Sequence, residues 1–139
     1  MAEEEQGLRE VWLTMSDLVL ENERRRDVSE ATGMSFGRVR AVRRVARNPM
    51  SMGELAEALW IDRPNATVVV DELEAAGLVR RTPHPTDRRA KLVEATRKGK
   101  ALARRANEIL ATPPALLREL DPQDVTTLRR ILEKVARPK

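Results

Sequence analysis

The sequence predicts a mainly α-helical fold with a small β element: about six helices, interrupted once by a two-stranded β-hairpin. Three observations carry that expectation. Apolar residues recur at offsets of three and four along most of the 139 residues, the spacing that gives a helix one buried face. Capping residues bound these stretches, with Ser, Thr or Asp where helices should start and Gly or Pro where they should stop. One stretch breaks the rhythm, Leu78 to Ala95, where two strand-like runs flank a polar, proline-containing turn.

Taken in order, the first helix is expected from Glu3 to about Arg26, with Leu8, Val11, Trp12, Met15, Leu18, Val19 and Asn22 along one face and Gly33 as a stop. Ser35 caps a second helix that turns Val39, Val42, Val45 and Ala46 inward and Arg38, Arg40, Arg43, Arg44 and Arg47 mostly outward, a solvated face of which some members can meet phosphates. Asn48-Pro49 ends it. Ser51 and Glu54 form a capping box that opens a third helix with Leu55, Ala58 and Leu59 as its apolar stripe. Asp62 caps a fourth. Pro64 is tolerated in its first turn, where no intrahelical N–H bond is lost, and Gly77 supplies the positive φ of a helix end. Leu78–Thr82 and Lys91–Ala95 are the strands of the hairpin. Thr96 caps the next helix, with Leu102, Ala106, Ile109 and Leu110 on one side, and Pro113-Pro114 must break or sharply kink it. A short helical piece, Ala115 to Leu120, precedes a last helix opened by Asp121-Pro122 and running to about Ala136, with Leu128, Ile131, Leu132 and Val135 as its apolar face.

Two short helices joined by a turn of about three residues form a helix-turn-helix, whose second helix reads the major groove of DNA. A hairpin directly after it is a wing, and a wing ending in arginines suits the narrow, electronegative minor groove. The fold is thus a winged helix set between terminal helices. Those helices carry more apolar surface than the head can cover, so they are expected to pack on a second copy. Residues 1–33 form an N-terminal dimerisation helix and residues 34–95 the DNA-binding head, with its recognition helix at about 62–76 and its wing at about 78–95. Residues 96–139 form the C-terminal dimerisation helices.

Composition agrees with this reading and excludes others. With 35% charged and 2% aromatic residues, the core must be aliphatic. The net charge is only +4, but Met34 to Gly99 holds 13 Lys+Arg against 8 Asp+Glu, so the excess lies in the head. Absent cysteine excludes disulfides, thiolate metal sites and thiol switches. No apolar run approaches a membrane span, and the acidic start is no signal peptide, so a cytoplasmic location and no membrane partner are expected. Without Cys or Tyr, with one His and with scattered glycines, no constellation supplies a nucleophile with a base. No catalytic residue, metal site or cofactor is expected.

The candidate DNA-binding residues are Arg63, Asn65, Thr67, Val68, Asp87, Arg88 and Arg89. Arg pairs with guanine, Asn with adenine, and the Thr and Val methyls touch thymine; alternatively Asn65 only satisfies N–H groups at the helix start. Arg89 is the side chain expected in the minor groove, with Asp87 pairing to it or to a neighbouring Arg and Arg88 at a phosphate. Otherwise the three are a solvated turn. Ser51 caps its helix, whose N–H groups can still face a phosphate. His84, alone between two prolines in the wing, is a solvated loop residue or has a phosphate- or pH-linked role. Trp12 belongs to a dimer core or lines a ligand pocket.

With those residues in view, the chain resembles the MarR family of bacterial transcription regulators over nearly all of its length. The segments SMGELAEAL, DRPNATVVVDELEAAGLVRR and PTDRRAKLVEAT carry the resemblance, with Gly99 shortly after. The D-x-R element of the wing, Asp87-Arg88-Arg89, is the most diagnostic. The resemblance implies a homodimer with interlocked terminal helices and a winged helix-turn-helix in each subunit. It also implies repression or activation governed, in many members, by small and often aromatic anionic ligands. Trp60 stands where many relatives have a small residue, and Val68 where many have a basic or polar one. The function expected is a sequence-specific transcriptional regulator, a repressor acting as a homodimer on a palindromic operator in double-stranded DNA and released by a small-molecule effector. The alternative is a non-specific or architectural DNA binder without ligand control.

Overall fold

The structure, a computed structural model, describes residues 1–136; Arg137 to Lys139, the end of the expected C-terminal segment, lie outside the described residues. Eight helical segments and three short strands follow one another as α1 (Ala2–Leu20), α2 (Arg24–Thr32), α3 (Phe36–Arg47), β1 (Met50–Ser51), α4 (Met52–Leu59), α5 (Arg63–Ala75), β2 (Val79–Pro83), β3 (Lys91–Ala95), α6 (Arg97–Leu110), α7 (Ala115–Arg118) and α8 (Pro122–Val135). The fold is a winged helix carried between terminal helices, as the sequence predicts. No described helix is long and apolar enough to cross a membrane.

The predicted caps are where the helices begin. Ser35, Ser51, Asp62, Thr96 and Asp121 each accept a backbone N–H of the first turn that follows, and Ser51 with Glu54 completes the reciprocal capping box. Gly33 and Gly77 take the left-handed conformation at helix ends, with φ of 68° and 74°. Trp60 takes it too, with φ 58°, ending α4 so that Ile61 N–H reaches the Ala56 carbonyl at 3.0 Å. A side chain costs about 1 kcal/mol there. The reward is a turn short enough to start α5 at Arg63.

Two differences from the sequence reading have physical causes. The first helix does not run unbroken to Arg26. Asn22 breaks it by donating its amide to the Leu18 and Val19 carbonyls and accepting the Arg24 N–H at 2.9 Å, so that one side chain ends α1 and starts α2. The hairpin gains a third strand, Met50–Ser51, which pairs antiparallel with Val93 and Leu92 in the order β1-β3-β2. Two residues without alternation carry no strand signature. At Pro113-Pro114, where the sequence predicts a break or a kink, the helix breaks, and the expected short helical piece is the four-residue α7 before α8. The break at Asn22 adds one segment to the six longer helices and the short piece expected, giving eight.

The main core is the head. Val42, Val45, Leu55, Val70, Leu73, Leu78 and Val93 pack together with Ala103 of α6, and a smaller cluster of Val28, Val39 and Ala106 fastens α2 to α3 and α6. α1 and α8 contribute no buried residue. The head and α6 meet at Gly99, where an added Cβ would stand 2.0 Å from the Leu78 carbonyl oxygen. Gly99→Ala should therefore cost about 2 kcal/mol or more, because backbone and not a flexible side chain must yield. Urea denaturation should show a lowered midpoint, and a midpoint equal to wild type would mean that α6 shifts freely.

Candidate nucleic-acid interface

Burial decides which side of α5 is offered to a partner. Ala66, Val69, Val70 and Leu73 are buried, which leaves Arg63, Asn65, Thr67 and Val68 exposed on the N-terminal turns. Asp62 accepts the Asn65 N–H at 2.8 Å and so caps the helix. The Asn65 side chain is not needed for that task and has no hydrogen-bond partner among the described residues. Arg63 lies across the first turn of α4, where its guanidinium would be 3.1 Å from a Cβ on Gly53. Thr67 donates its hydroxyl to the Arg63 carbonyl at 3.1 Å.

The wing tip is held by backbone hydrogen bonds. His84 N–H donates to the Ala90 carbonyl and Ala90 N–H to that of Asp87, both at 3.2 Å. The Asp87 carboxylate accepts the backbone N–H of Arg89 at 2.9 Å. It fixes the backbone that presents Arg89 and, among the described residues, forms no ion pair with a guanidinium, contrary to the pairing expected from sequence. Arg88 and Arg89 are exposed.

Ser51, Arg63, Thr67, Arg89 and Lys91 line one open cleft of about 330 Å³ between the start of α4, the start of α5 and the wing. Three of the seven candidate residues thus share a concavity. Asn65 and Val68 lie on α5 outside its lining, and Asp87 and Arg88 at the wing tip.

Arg81, a residue the sequence reading did not single out, sets the angle of the wing to α5. Its guanidinium bridges Asp71 at 2.6 Å and Glu74 at 2.8 Å, and its N–H donates to the same Glu74 carboxylate. The Asp71 hydrogen bond, above all, raises its pKa beyond the usual arginine range. The signal was present: Asp71 and Glu74, one turn apart, share a helix face next to the strand that follows. At the hairpin's base Arg80 pairs with Glu94 across the strands.

The arginines of α3 also differ from a plain solvated face. Arg38 pairs with Glu72 of α5 at 2.7 Å, Arg40 donates to the Ala58 carbonyl of α4 at 3.3 Å, and Arg43 donates to Asn107 of α6 at 2.6 Å. Packed among four helices, α3 lets long side chains at its margins reach a neighbour. Beside them Arg25, Phe36, Arg40, Arg43, Arg44 and Arg47 line a groove of about 470 Å³, to whose lining no carboxylate among the described residues belongs. The Arg25 guanidinium stands 5.1 Å from the Phe36 ring centre. Burial, then the charges of Arg47, Arg44 and Arg40, hold the Arg43 pKa below its usual range. The groove has positive charge to spare.

Known proteins share this architecture. A family model described as MarR family matches residues 32–90, which hold α3 to the wing tip. A candidate transcriptional regulatory protein for the hcr operon of Thauera aromatica is 31% identical over 114 residues, 81% of this chain and 69% of the relative. The chain belongs to the MarR family. It is a MarR-family transcriptional regulator with a DNA-binding winged helix. MarR of Escherichia coli is 32% identical over 84 residues, 59% of this chain and 58% of that protein, so the match spans little more than half of the E. coli protein. BldR of Sulfolobus solfataricus superposes with a TM-score of 0.64 at 26% identity, over 96% of this chain and 97% of that one.

Two predictions follow from the ion pairs of this MarR-family head. The Arg38 hydrogen bond, chiefly, lowers the Glu72 pKa. A depressed carboxyl stabilises the fold above its unfolded pKa and loses that contribution as pH falls through the folded one. Urea midpoints taken from about pH 6 down to about pH 3 should fall less steeply for Glu72→Gln than for wild type; superimposable curves would show that the α3–α5 tie contributes nothing. Arg81→Gln should cost about 1 kcal/mol in the same assay. A double cycle with Asp71→Asn should show coupling, whereas additive effects would remove Arg81 from its role.

Proposed function

We propose that this protein is a repressor that binds a palindromic operator in double-stranded DNA as a homodimer and is released by a small anionic or aromatic effector. The observation that supports the DNA reading is the cleft that Arg63, Thr67 and Arg89 share. In this reading α5 enters the major groove, where Arg63 and Asn65 face guanine and adenine edges and the methyls of Thr67 and Val68 face thymine. Arg89 enters the adjoining minor groove, Arg88 meets a phosphate, and Asp87 keeps the wing backbone in place. Residues 34–95 form the reading head, and the start of α4 at Ser51 offers N–H groups to a phosphate.

The terminal segments, 1–33 and 96–139, support the homodimer. Leu8, Val11, Trp12 and Val19 of α1 and Val125, Ile131 and Val135 of α8 are all exposed, each 46% or more. Apolar faces of this extent call for a partner. A twofold axis then matches the two halves of a palindrome, whose adjacent major grooves lie about 34 Å apart. The arginine-lined groove beside Phe36 supports an anionic or aromatic effector at the junction of the head with α2. Its mechanism is a population shift toward a dimer with wrongly spaced heads, so effector and DNA weaken each other by one factor. Repression needs only occupancy of a promoter, in the cytoplasm, without catalysis or cofactor.

The test is binding, at fixed salt, to the DNA upstream of the protein's own gene and to an unrelated duplex of equal length. Wild type should prefer the upstream DNA as a dimer, and Arg89→Ala should lose about 1–3 kcal/mol. Equal binding to both duplexes, following salt alone, would establish an architectural binder instead.

A further inference from the structure

His84 does more in the wing than occupy a loop. Its ring nitrogen Nδ1 accepts the backbone N–H of Thr86 at 3.2 Å and that of Asp87 at 3.1 Å, with the Thr86 hydroxyl at 3.3 Å. Its own N–H closes the hairpin onto Ala90. One residue on, the Asp87 carboxylate accepts the Arg89 N–H. The tip from Thr86 to Arg89 is therefore held by two acceptors in series, and the first of them is an imidazole. Two amide donors converging on Nδ1 require it to be unprotonated, with the ring's proton on Nε2. Protonation of the ring would set a third N–H against both of them and leave them without an acceptor.

We propose that His84 is the positioning residue of the wing, and that its protonation releases the tip and weakens DNA binding at acidic pH. The proposal rests on the wing reading given above and adds its regulation. The charged residues of the wing near His84 in sequence are Asp87, Arg88, Arg89 and Lys91. Among the described residues no side chain of a helix forms a hydrogen bond or ion pair with it. The protonation that matters is set against the Thr86 and Asp87 amides. The sign is diagnostic. A histidine that merely faced phosphate would gain a charge in acid and bind DNA more tightly, whereas an acceptor that loses its lone pair lets go of the tip.

The discriminating variant is His84→Asn, whose Oδ1 can occupy the place of Nδ1 and does not titrate. Operator affinity of the full chain should be followed at constant ionic strength from about pH 8 to about pH 5, with free-protein amide spectra recorded over the same range. Relative to His84→Asn, wild type should lose roughly five- to tenfold in affinity over that range. His84→Ala should be weaker than both at about pH 8. The Thr86 and Asp87 amide signals should move with the ring in wild type and stay in place in His84→Asn. Wild-type affinity that rises in acid relative to His84→Asn, or amide signals indifferent to the ring, would overturn the proposal. A protein without operator affinity at any pH would overturn the wing reading instead, and the amide titration would still decide the acceptor role.

Discussion

The constraint on which the arrangement depends is the contact between Gly99 and the Leu78 carbonyl. At that point the end of α5, the start of the wing and the start of α6 converge within a few residues. Leu78 N–H closes the end of α5 on the Leu73 carbonyl, and the Leu78 carbonyl accepts the Thr96 N–H at 3.0 Å. Thr96 Oγ1 donates to the Gly77 carbonyl and accepts the Gly99 N–H, and Lys98 Nζ donates to Ala76. Carbonyls that would be orphaned at the end of α5 are satisfied by the element that leaves the head. The head and α6 are therefore one rigid unit at this seam. Any displacement of the C-terminal segment is passed to α5 and the wing together.

Around that seam the arginines divide into two populations. Arg38, Arg80 and Arg81 are neutralised by Glu72, Glu94, and Asp71 with Glu74, and their work is to fix helices and strands relative to one another. Arg63, Arg88 and Arg89 stand exposed on the side where α5 and the wing meet. The modest net charge of +4 conceals this division. Positive charge used internally cancels in the total, while Arg63, Arg88 and Arg89 remain exposed beside the wing and four arginines of α3 line the groove along it. A counterion atmosphere responds to that leftover charge and not to the total.

The elements legible in the sequence were those set by local chemistry. Caps at Ser51, Asp62 and Thr96, and glycines at 33 and 77, act within four residues, so spacing alone exposes them. The hairpin strands are legible for the same reason. What escaped has two causes. The β1 pairing needs Val93 to be nearby, a contact between distant positions. The break at Asn22 is as local as the caps but asks one side chain to serve two helices, and Trp60 occupies a conformation that composition assigns to glycine. The site divided along the same line. Exposure of Arg63, Asn65, Thr67 and Val68 followed from helical periodicity. The Arg81 bridge, the Asp87 backbone bond and the His84 acceptor required the folded wing.

The uncovered faces of α1 and α8 have a consequence in mass action. Under the proposed assembly, those helices gain their burial only when two chains meet, so folding of the terminal segments is second order in protein. A tenfold rise in chain concentration then adds about 1.4 kcal/mol to the stability of the dimer. The compact head, with its own aliphatic core, escapes this dependence. When the chain is scarce, heads persist while their pairing lapses. A single head meets half an operator and loses the advantage of two linked contacts. The abundance of the chain would then govern DNA occupancy more steeply than in proportion, before any effector is present.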